Sequence, residues 1–183
     1  MAKKVLVALA QGFEELEAVA VIDVLRRGGV EVTAVGVDSL QVKSSRKITF
    51  WADKQLKDCG DDFDAIVLPG GMPCSANLAA SKDLNALLKK FNNEKKMIAA
   101  ICATPALVLA PLGILNDKSA TCYPGDHKAF NKTTVYKEDT VVVDDNIITS
   151  RGPATALEFG LAILEKLTDK NIADKIKKAM LVV

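Results

Sequence analysis

The chain has 183 residues and a net charge of +1, and 49% of its residues are hydrophobic while only 5% are aromatic. This length predicts a single domain, residues 1–183, with a sizeable core. Dispersed charge of both signs argues against nucleic acid as a partner, and no apolar stretch is long enough to cross a membrane. Four cysteines without CxxC spacing and one histidine argue against a metal site and favour reduced thiols in a cytoplasmic protein.

Continuous apolar runs alternate with helical patterns along the chain. The runs predict buried strands at residues 5–10, 30–37, 64–68, 97–101 and 147–149, the last forming a hairpin with 141–143. Helices are predicted at 14–27, at 77–91 with a break near Ser81, after Pro105, at 153–167 and from 169 onward. Residues 42–51 are predicted to form an irregular antiparallel extension. This alternation predicts an α/β fold, a flavodoxin-like, doubly wound and mostly parallel sheet with helices on both faces.

The helix at 14–27 is apolar around nearly its whole circumference, with Val19, Val21 and Leu25 among the side chains spread around it. A helix with one solvent-facing side should be more polar. We therefore predict that one side packs on the sheet and the other on the same helix of a second copy, which gives a homodimer through residues 14–27.

Cys102 stands between the end of the strand at 97–101 and Pro105, which suits the first turn of a helix. Ligands bind at this edge of an open α/β sheet, and a helix N-terminus there is predicted to favour a thiolate. The arrangement is that of a nucleophile elbow with cysteine in place of serine, although Ala100 and Thr104 stand where that pattern has glycines. The alternative is a buried structural cysteine.

Other strand ends are predicted to converge on the same edge. Gly70 and Gly71 follow the strand at 64–68, where they form either a site for close ligand approach or a plain turn. Glu17 is an acid among apolar residues, and the alternative is a surface glutamate that complements the helix dipole. His127 is a candidate partner for a cysteine, but its polar loop also suits a solvated histidine.

Four short motifs cover nearly the whole chain, namely 12–17 (GFEELE), 68–71 (LPGG), 99–103 (AAICA) and 149–153 (TSRGP). Together they resemble the ThiJ/PfpI superfamily, in the branch of the human Parkinsonism-associated protein deglycase and its bacterial oxidative-stress relatives. The resemblance implies a flavodoxin-like fold, a homodimer and an oxidation-prone cysteine hydrogen-bonded to a protonated glutamate. Activities attributed to the family are glutathione-independent glyoxalase, deglycation of amines and thiols, and a redox-linked chaperone function.

The resemblance also assigns residues by position. Cys102 matches the reactive cysteine, Glu17 its partner, and Gly71 and Ala103 the backbone donors beside the thiol. The protease branches carry histidine directly after the nucleophile, so Ala103 argues against peptide hydrolysis.

Accessory positions are Gly70, Arg46, Arg151 and Tyr123. Tyr123 stands where the human branch has a histidine, and His127 comes four residues later, so the resemblance does not decide whether a histidine contacts the cysteine.

These residues predict a cofactor-free enzyme that acts on reactive carbonyls, either converting methylglyoxal to lactate or deglycating amines and thiols. Cys102 is the nucleophile and Glu17 carries a proton. The alternative is a redox-sensing chaperone in which Cys102 is oxidised and turnover is slight. A third hypothesis is a flavodoxin-like binding module, and the absence of a GxGxxG or Walker A motif argues against it.

Overall fold

The computed structural model describes residues 2–182 as alternating strands and helices. The strands are β1 (Lys4–Leu9), β2 (Glu31–Gly36), β3 (Gln41–Lys43), β4 (Thr49–Trp51), β5 (Lys54–Gln55), β6 (Ala65–Leu68), β7 (Met97–Ile101), β8 (Ser119–Ala120), β9 (Val135–Tyr136), β10 (Val141–Asp144) and β11 (Ile147–Ser150). The α-helices are α1 (Glu15–Arg27), α2 (Cys74–Ala80), α3 (Lys82–Asn93), α4 (Ala156–Leu167) and α5 (Lys170–Ala179). Shorter turns are the 3-10 segments Leu56–Asp58, Asp126–Ala129 and Pro153–Thr155 and the π-helix Pro105–Leu109.

The main sheet has seven strands in the order β10-β11-β7-β6-β1-β2-β5. Neighbouring strands run parallel, except in the antiparallel hairpin of β10 and β11. The central order β2-β1-β6-β7-β11 is that of the flavodoxin-like doubly wound fold, which confirms the predicted fold class. Strands β1, β6 and β7 are almost completely buried, which explains their unbroken apolar runs.

The register of the sheet brings several strand ends to one edge. Leu68 of β6 lies opposite Ala100 of β7, and Ser150 of β11 lies opposite Ile101. Because these strands are parallel, the segments that follow them leave the sheet together. The segment after β1 joins them through β6, with Val7 opposite Val67.

The helices largely follow the predicted pattern. Ser81 ends α2 and caps α3, where its side chain accepts a hydrogen bond from the Leu84 N–H. The segment after Pro105 differs from the expected α-helix, because the Ala110 N–H reaches back five residues to the Pro105 carbonyl and forms a π-helix. Across residues 2–182, none of the helices combines the length and the hydrophobicity that crossing a membrane requires.

Helix α1 packs against α4 as well as against the sheet. A Cβ atom on Gly160 of α4 would lie 3.2 Å from the Val24 Cβ atom, so the two helices approach closely. Val21 and Leu25, two of the side chains around the predicted dimer helix, are completely buried within one chain and therefore cannot form the predicted contact with a second copy. Leu16 and Val19 remain exposed, at 61% and 47%.

Candidate active site

Cys102 follows β7 in a left-handed backbone conformation, with φ at +66°. A residue other than glycine holds this conformation only where its surroundings enforce it. The Cys102 N–H donates to the Ser150 carbonyl at 3.1 Å, and the Cys102 carbonyl accepts from the Tyr123 N–H at 2.8 Å. The half-buried thiol therefore stands on a strained strand-to-helix turn, as in a nucleophile elbow.

Glu17 is completely buried in the first turn of α1 and is therefore not a surface glutamate. Glu14 caps this helix, because its carboxylate accepts a hydrogen bond from the Glu17 N–H at 3.0 Å. The Glu14 N–H in turn donates to the Gly70 carbonyl at 2.9 Å. The start of α1 is thus fixed to the loop after β6, and the Glu17 Oε2 atom accepts from the Gly70 N–H at 2.7 Å.

Gly70 lies where the side chains of Glu17 and Cys102 meet. A Cβ atom on Gly70 would lie 2.8 Å from Glu17 Oε2 and 3.1 Å from Cys102 Sγ, so the position has no room for a side chain. The carboxyl group and the thiol both border this position, and each shifts the pKa of the other. The structure therefore brings together an acid and a thiol that are 85 positions apart, from residue 17 to residue 102.

Burial raises the pKa of the Glu17 carboxyl group from 4.5 to about 7, against hydrogen bonds from Gly70 and Cys102 that lower it. Burial and then the charge of Glu17 raise the pKa of the Cys102 thiol to about 12, against the N–H groups of Ala103 and Gly71. The predicted lowering of the thiol pKa by a helix N-terminus does not prevail, because burial and the charge of Glu17 outweigh it. A Cys102 thiolate therefore requires a protonated Glu17, so that the pair shares one proton.

Two backbone N–H groups, those of Gly71 and Ala103, act on the Cys102 thiol and lower its pKa against the effect of burial. Gly71 has φ at +96°, and a Cβ atom there would lie 2.6 Å from the Glu14 nitrogen, so the position requires glycine. Fixed N–H groups that point at one place can stabilise negative charge on sulfur or on an oxygen bound next to it.

The two accessory arginines lie in segments that make contacts of their own. The Arg46 side chain is exposed in the turn between β3 and β4, next to Ser45, whose hydroxyl group donates to the Glu15 carboxylate at 2.9 Å. Arg151 is half-buried and donates to the Glu138 carbonyl at 3.0 Å. These contacts place neither guanidinium group on Cys102.

Tyr123 contacts Cys102 through its backbone N–H, while its ring is 49% exposed beside Gly152. His127 is half-buried, and its ring stacks on Tyr136 with 4.2 Å between centroids and 14° between planes. The acidic side chain next to the Cys102 thiol is therefore Glu17, and the His127 ring packs on Tyr136 instead.

Sequence reasoning missed two completely buried hydroxyl groups beside this turn, on Ser75 and Thr104. Thr104 Oγ1 donates to the Pro69 carbonyl at 2.8 Å, and Ser75 Oγ lies 3.0 Å from Thr104 Oγ1. The signal for Thr104 was present, since a threonine stands where the nucleophile elbow has glycine. The sequence contained no signal for Ser75, because its contact with Thr104 depends on the tertiary fold.

The fold and this site define a class of protein, the flavodoxin-like α/β proteins with a cysteine on a strained turn and a buried acidic neighbour. The profile of the DJ-1/PfpI family matches residues 3–166, and the chain belongs to that family. This confirms the resemblance seen in the four motifs.

Relatives of known description agree with this assignment. The chain is 42% identical to protein dj-1beta of Drosophila melanogaster, over 100% of this chain and 98% of that protein. It is 36% identical to the glutathione-independent glyoxalase DJR-1.2 of Caenorhabditis elegans, over 91% of this chain and 89% of that protein. The structure of oxidized DJ-1 from Toxoplasma gondii matches with a TM-score of 0.95 at 41% identity, over 98% of both chains.

Some relatives are much longer. Protein DJ-1 homologs B and A of Arabidopsis thaliana are 44% and 42% identical to 98% of this chain. The chain spans only 41% and 46% of their respective lengths.

Proposed function

We propose that the protein is a cysteine-dependent enzyme that acts on reactive carbonyl compounds and converts methylglyoxal to lactate without glutathione. The observation that carries the proposal is the meeting of Glu17 and Cys102 beside Gly70, with two backbone donors on the thiol. The C. elegans relative that is named a glutathione-independent glyoxalase supports the same class of reaction. The same nucleophile would serve deglycation of amines and thiols.

The reaction starts when the Cys102 thiol passes its proton to the Glu17 carboxylate, which gives a thiolate and a protonated Glu17. The sulfur attacks the aldehyde carbon of methylglyoxal, and the N–H groups of Gly71 and Ala103 stabilise the oxyanion until Glu17 protonates it. The Glu17 carboxylate then removes the proton from the former aldehyde carbon and returns it to the adjacent carbon, which converts the hemithioacetal to a lactoyl thioester. One water hydrolyses the thioester, releases lactate and restores the shared proton.

The test is lactate formation from methylglyoxal by purified protein in the absence of glutathione. Cys102→Ser should abolish lactate formation, because the hydroxyl group is a much weaker nucleophile. Cys59→Ser is the matched control, since Cys59 is also a half-buried free thiol but belongs to the turn after Leu56–Asp58. Lactate formation that persists in Cys102→Ser would overturn the mechanism.

A redox-sensing chaperone is the second candidate. Its supporting observation is that protonated Glu17 is placed to donate a hydrogen bond to an oxidised Cys102, and the T. gondii relative is described as oxidized. Peroxide titration followed by intact-mass measurement tests the first step, and aggregation of a client protein before and after oxidation tests the second. Oxidation of Cys59, Cys74 or Cys122 ahead of Cys102 would contradict this candidate.

We also propose a homodimer through α1. Leu16 and Val19 are the exposed apolar residues of this helix, and Leu157 near the start of α4 is 37% exposed. Together with Pro153 and Ala154 they line one shallow depression, which suits an isologous contact.

A further inference from the structure

The pairing of β6 with β7 ends just before the candidate site. Leu68 opposite Ala100 is the last pair of this ladder, and the chain then turns at Cys102. The Pro69 carbonyl would therefore lose the partner that a continued strand would have given it. Thr104 Oγ1 donates to that carbonyl at 2.8 Å, so a side chain continues the contact where the backbone ladder stops.

Ser75 extends this contact to a third segment. Its Oγ atom lies 3.0 Å from Thr104 Oγ1 and 3.2 Å from the Gly71 carbonyl. The single hydroxyl proton of Thr104 is used on Pro69, so Ser75 donates either to Thr104 or to Gly71. Both side chains are completely buried, and water does not compete for these bonds.

We propose that Thr104 and Ser75 are positioning residues that hold the two backbone donors of the cysteine site at a fixed separation. Thr104 directly follows Ala103, which carries one donor, and it bonds the loop of Pro69 to Gly71, which carries the other. The Gly70 N–H of that loop also holds Glu17. The hydroxyl bridge therefore fixes the donors and the acid relative to the thiol. This inference deepens the proposed function, and only its kinetic test rests on that function.

The backbone shows why a side chain is tolerated at this point of the elbow. Thr104 has φ at −66° and ψ at −37°, an ordinary helical conformation that does not require glycine. The position two residues after the nucleophile is thus free to carry a Cβ atom, and threonine uses it to reach the neighbouring loop.

Thr104→Val tests the bridge, because valine keeps the volume of threonine and removes both hydrogen bonds. The readout is the rate of Cys102 alkylation by iodoacetamide as a function of pH. Glu17 is the charged group that acts on Cys102, and Glu14 acts on Glu17, so the profile reports on this pair and its donors. We expect the alkylation rate at each pH between about 7 and 9 to fall about tenfold, since displaced N–H groups stabilise the thiolate less and leave a smaller fraction of it.

Two further variants separate positioning from general damage to the fold. Thr104→Ser keeps the hydroxyl group and should restore the wild-type profile. Thr168→Val is the matched control, because it loses a hydroxyl bond of 2.7 Å to the Leu164 carbonyl at the end of α4. It should leave the profile unchanged.

Kinetics of lactate formation give an independent readout. In Thr104→Val we expect kcat to fall about tenfold while KM stays within about twofold, because the donors act on the oxyanion and not on the bound aldehyde. Ser75→Ala removes less volume and leaves the Thr104–Pro69 bond, so it should fold and move both readouts in the same direction by a smaller amount.

A wild-type alkylation profile in folded Thr104→Val or in Ser75→Ala would overturn the proposal, as would an equal fall in rate in Thr168→Val. If wild-type protein forms no lactate, the proposed function fails by itself. The alkylation profiles still decide whether Thr104 positions the site.

Discussion

Cys102 and Cys74 are two thiols on neighbouring segments. Burial is the main cause that raises the pKa of each to about 12, and the charge of Glu17 raises both further. Cys74 is completely buried at the start of α2, and its backbone contact is with Ala10. Cys102 is half-buried, lies beside the Glu17 carboxyl group, and has a pKa that the N–H groups of Ala103 and Gly71 lower. Because the pKa does not distinguish the two thiols, we expect access, a neighbouring carboxylate and fixed N–H groups to make Cys102 the more reactive one.

The largest effect that we expect from this difference is in alkylation. Iodoacetamide should modify Cys102 at least roughly 100-fold faster than Cys74 or Cys122 in native protein, because a completely buried thiol reacts only through local opening. Peptide mass spectrometry at timed quenches measures the rates. In strong denaturant the rates should converge, and equal native rates for Cys74 and Cys102 would refute the comparison.

A side chain at Gly70 should disrupt the surroundings of Cys102 and leave those of Cys74 unchanged. Gly70→Ala places a Cβ atom 2.8 Å from Glu17 Oε2 and 3.1 Å from Cys102 Sγ, which forces the pair apart. We expect kcat for lactate formation to fall by about 100-fold, the usual result of a displacement near 1 Å in a reacting pair.

Gly60→Ala is the matched control for this substitution, because a Cβ atom at Gly60 has no neighbour within 4 Å among the described residues. It should leave kcat unchanged. A Gly70→Ala variant with wild-type activity would show that contact between the carboxyl group and the thiol is not needed.

The raised pKa of Glu17 makes the free energy of unfolding depend on pH. Its pKa is raised from 4.5 to about 7 in the folded protein, so the folded state binds the proton more tightly than the unfolded state. The contribution of Glu17 is fully present below pH 4.5 and is lost as pH rises through about 7. Glu17→Gln lacks this dependence, and its free energy of unfolding relative to wild type should rise by up to about 3 kcal/mol over that range.

Urea unfolding of both proteins on either side of this pH window measures the difference. Glu158→Gln is the control, since it removes the same charge from a glutamate that is exposed on α4. A constant difference between Glu17→Gln and wild type across the window would contradict a raised Glu17 pKa.

The fold could be predicted because its signals are local. The unbroken apolar runs of β1 and β7 required helices on both faces, and Ser81 marked a break between two helices by its capping chemistry. The acidity of Cys102 could not be predicted in the same way, because burial by distant segments outweighs the local turn. The contact of Ser75 with Thr104 likewise joins residues 29 positions apart.

For helix α1, the sequence did not indicate which side chains are buried within the chain and which are exposed. The smallest change in stability that we expect comes from its exposed side. Val21 is completely buried against α4, while Val19 on the same helix is 47% exposed. Val19→Glu should change the free energy of unfolding of one chain by no more than about 0.5 kcal/mol, as for other surface substitutions. It should nevertheless convert the proposed dimer to monomer in sedimentation velocity, because it places a charge in an apolar contact.

Val21→Glu, by contrast, should abolish folding, since it buries an unpaired carboxylate. A wild-type protein that sediments as a monomer, or a Val19→Glu variant that remains a dimer, would show that the exposed face of α1 is not the contact between copies.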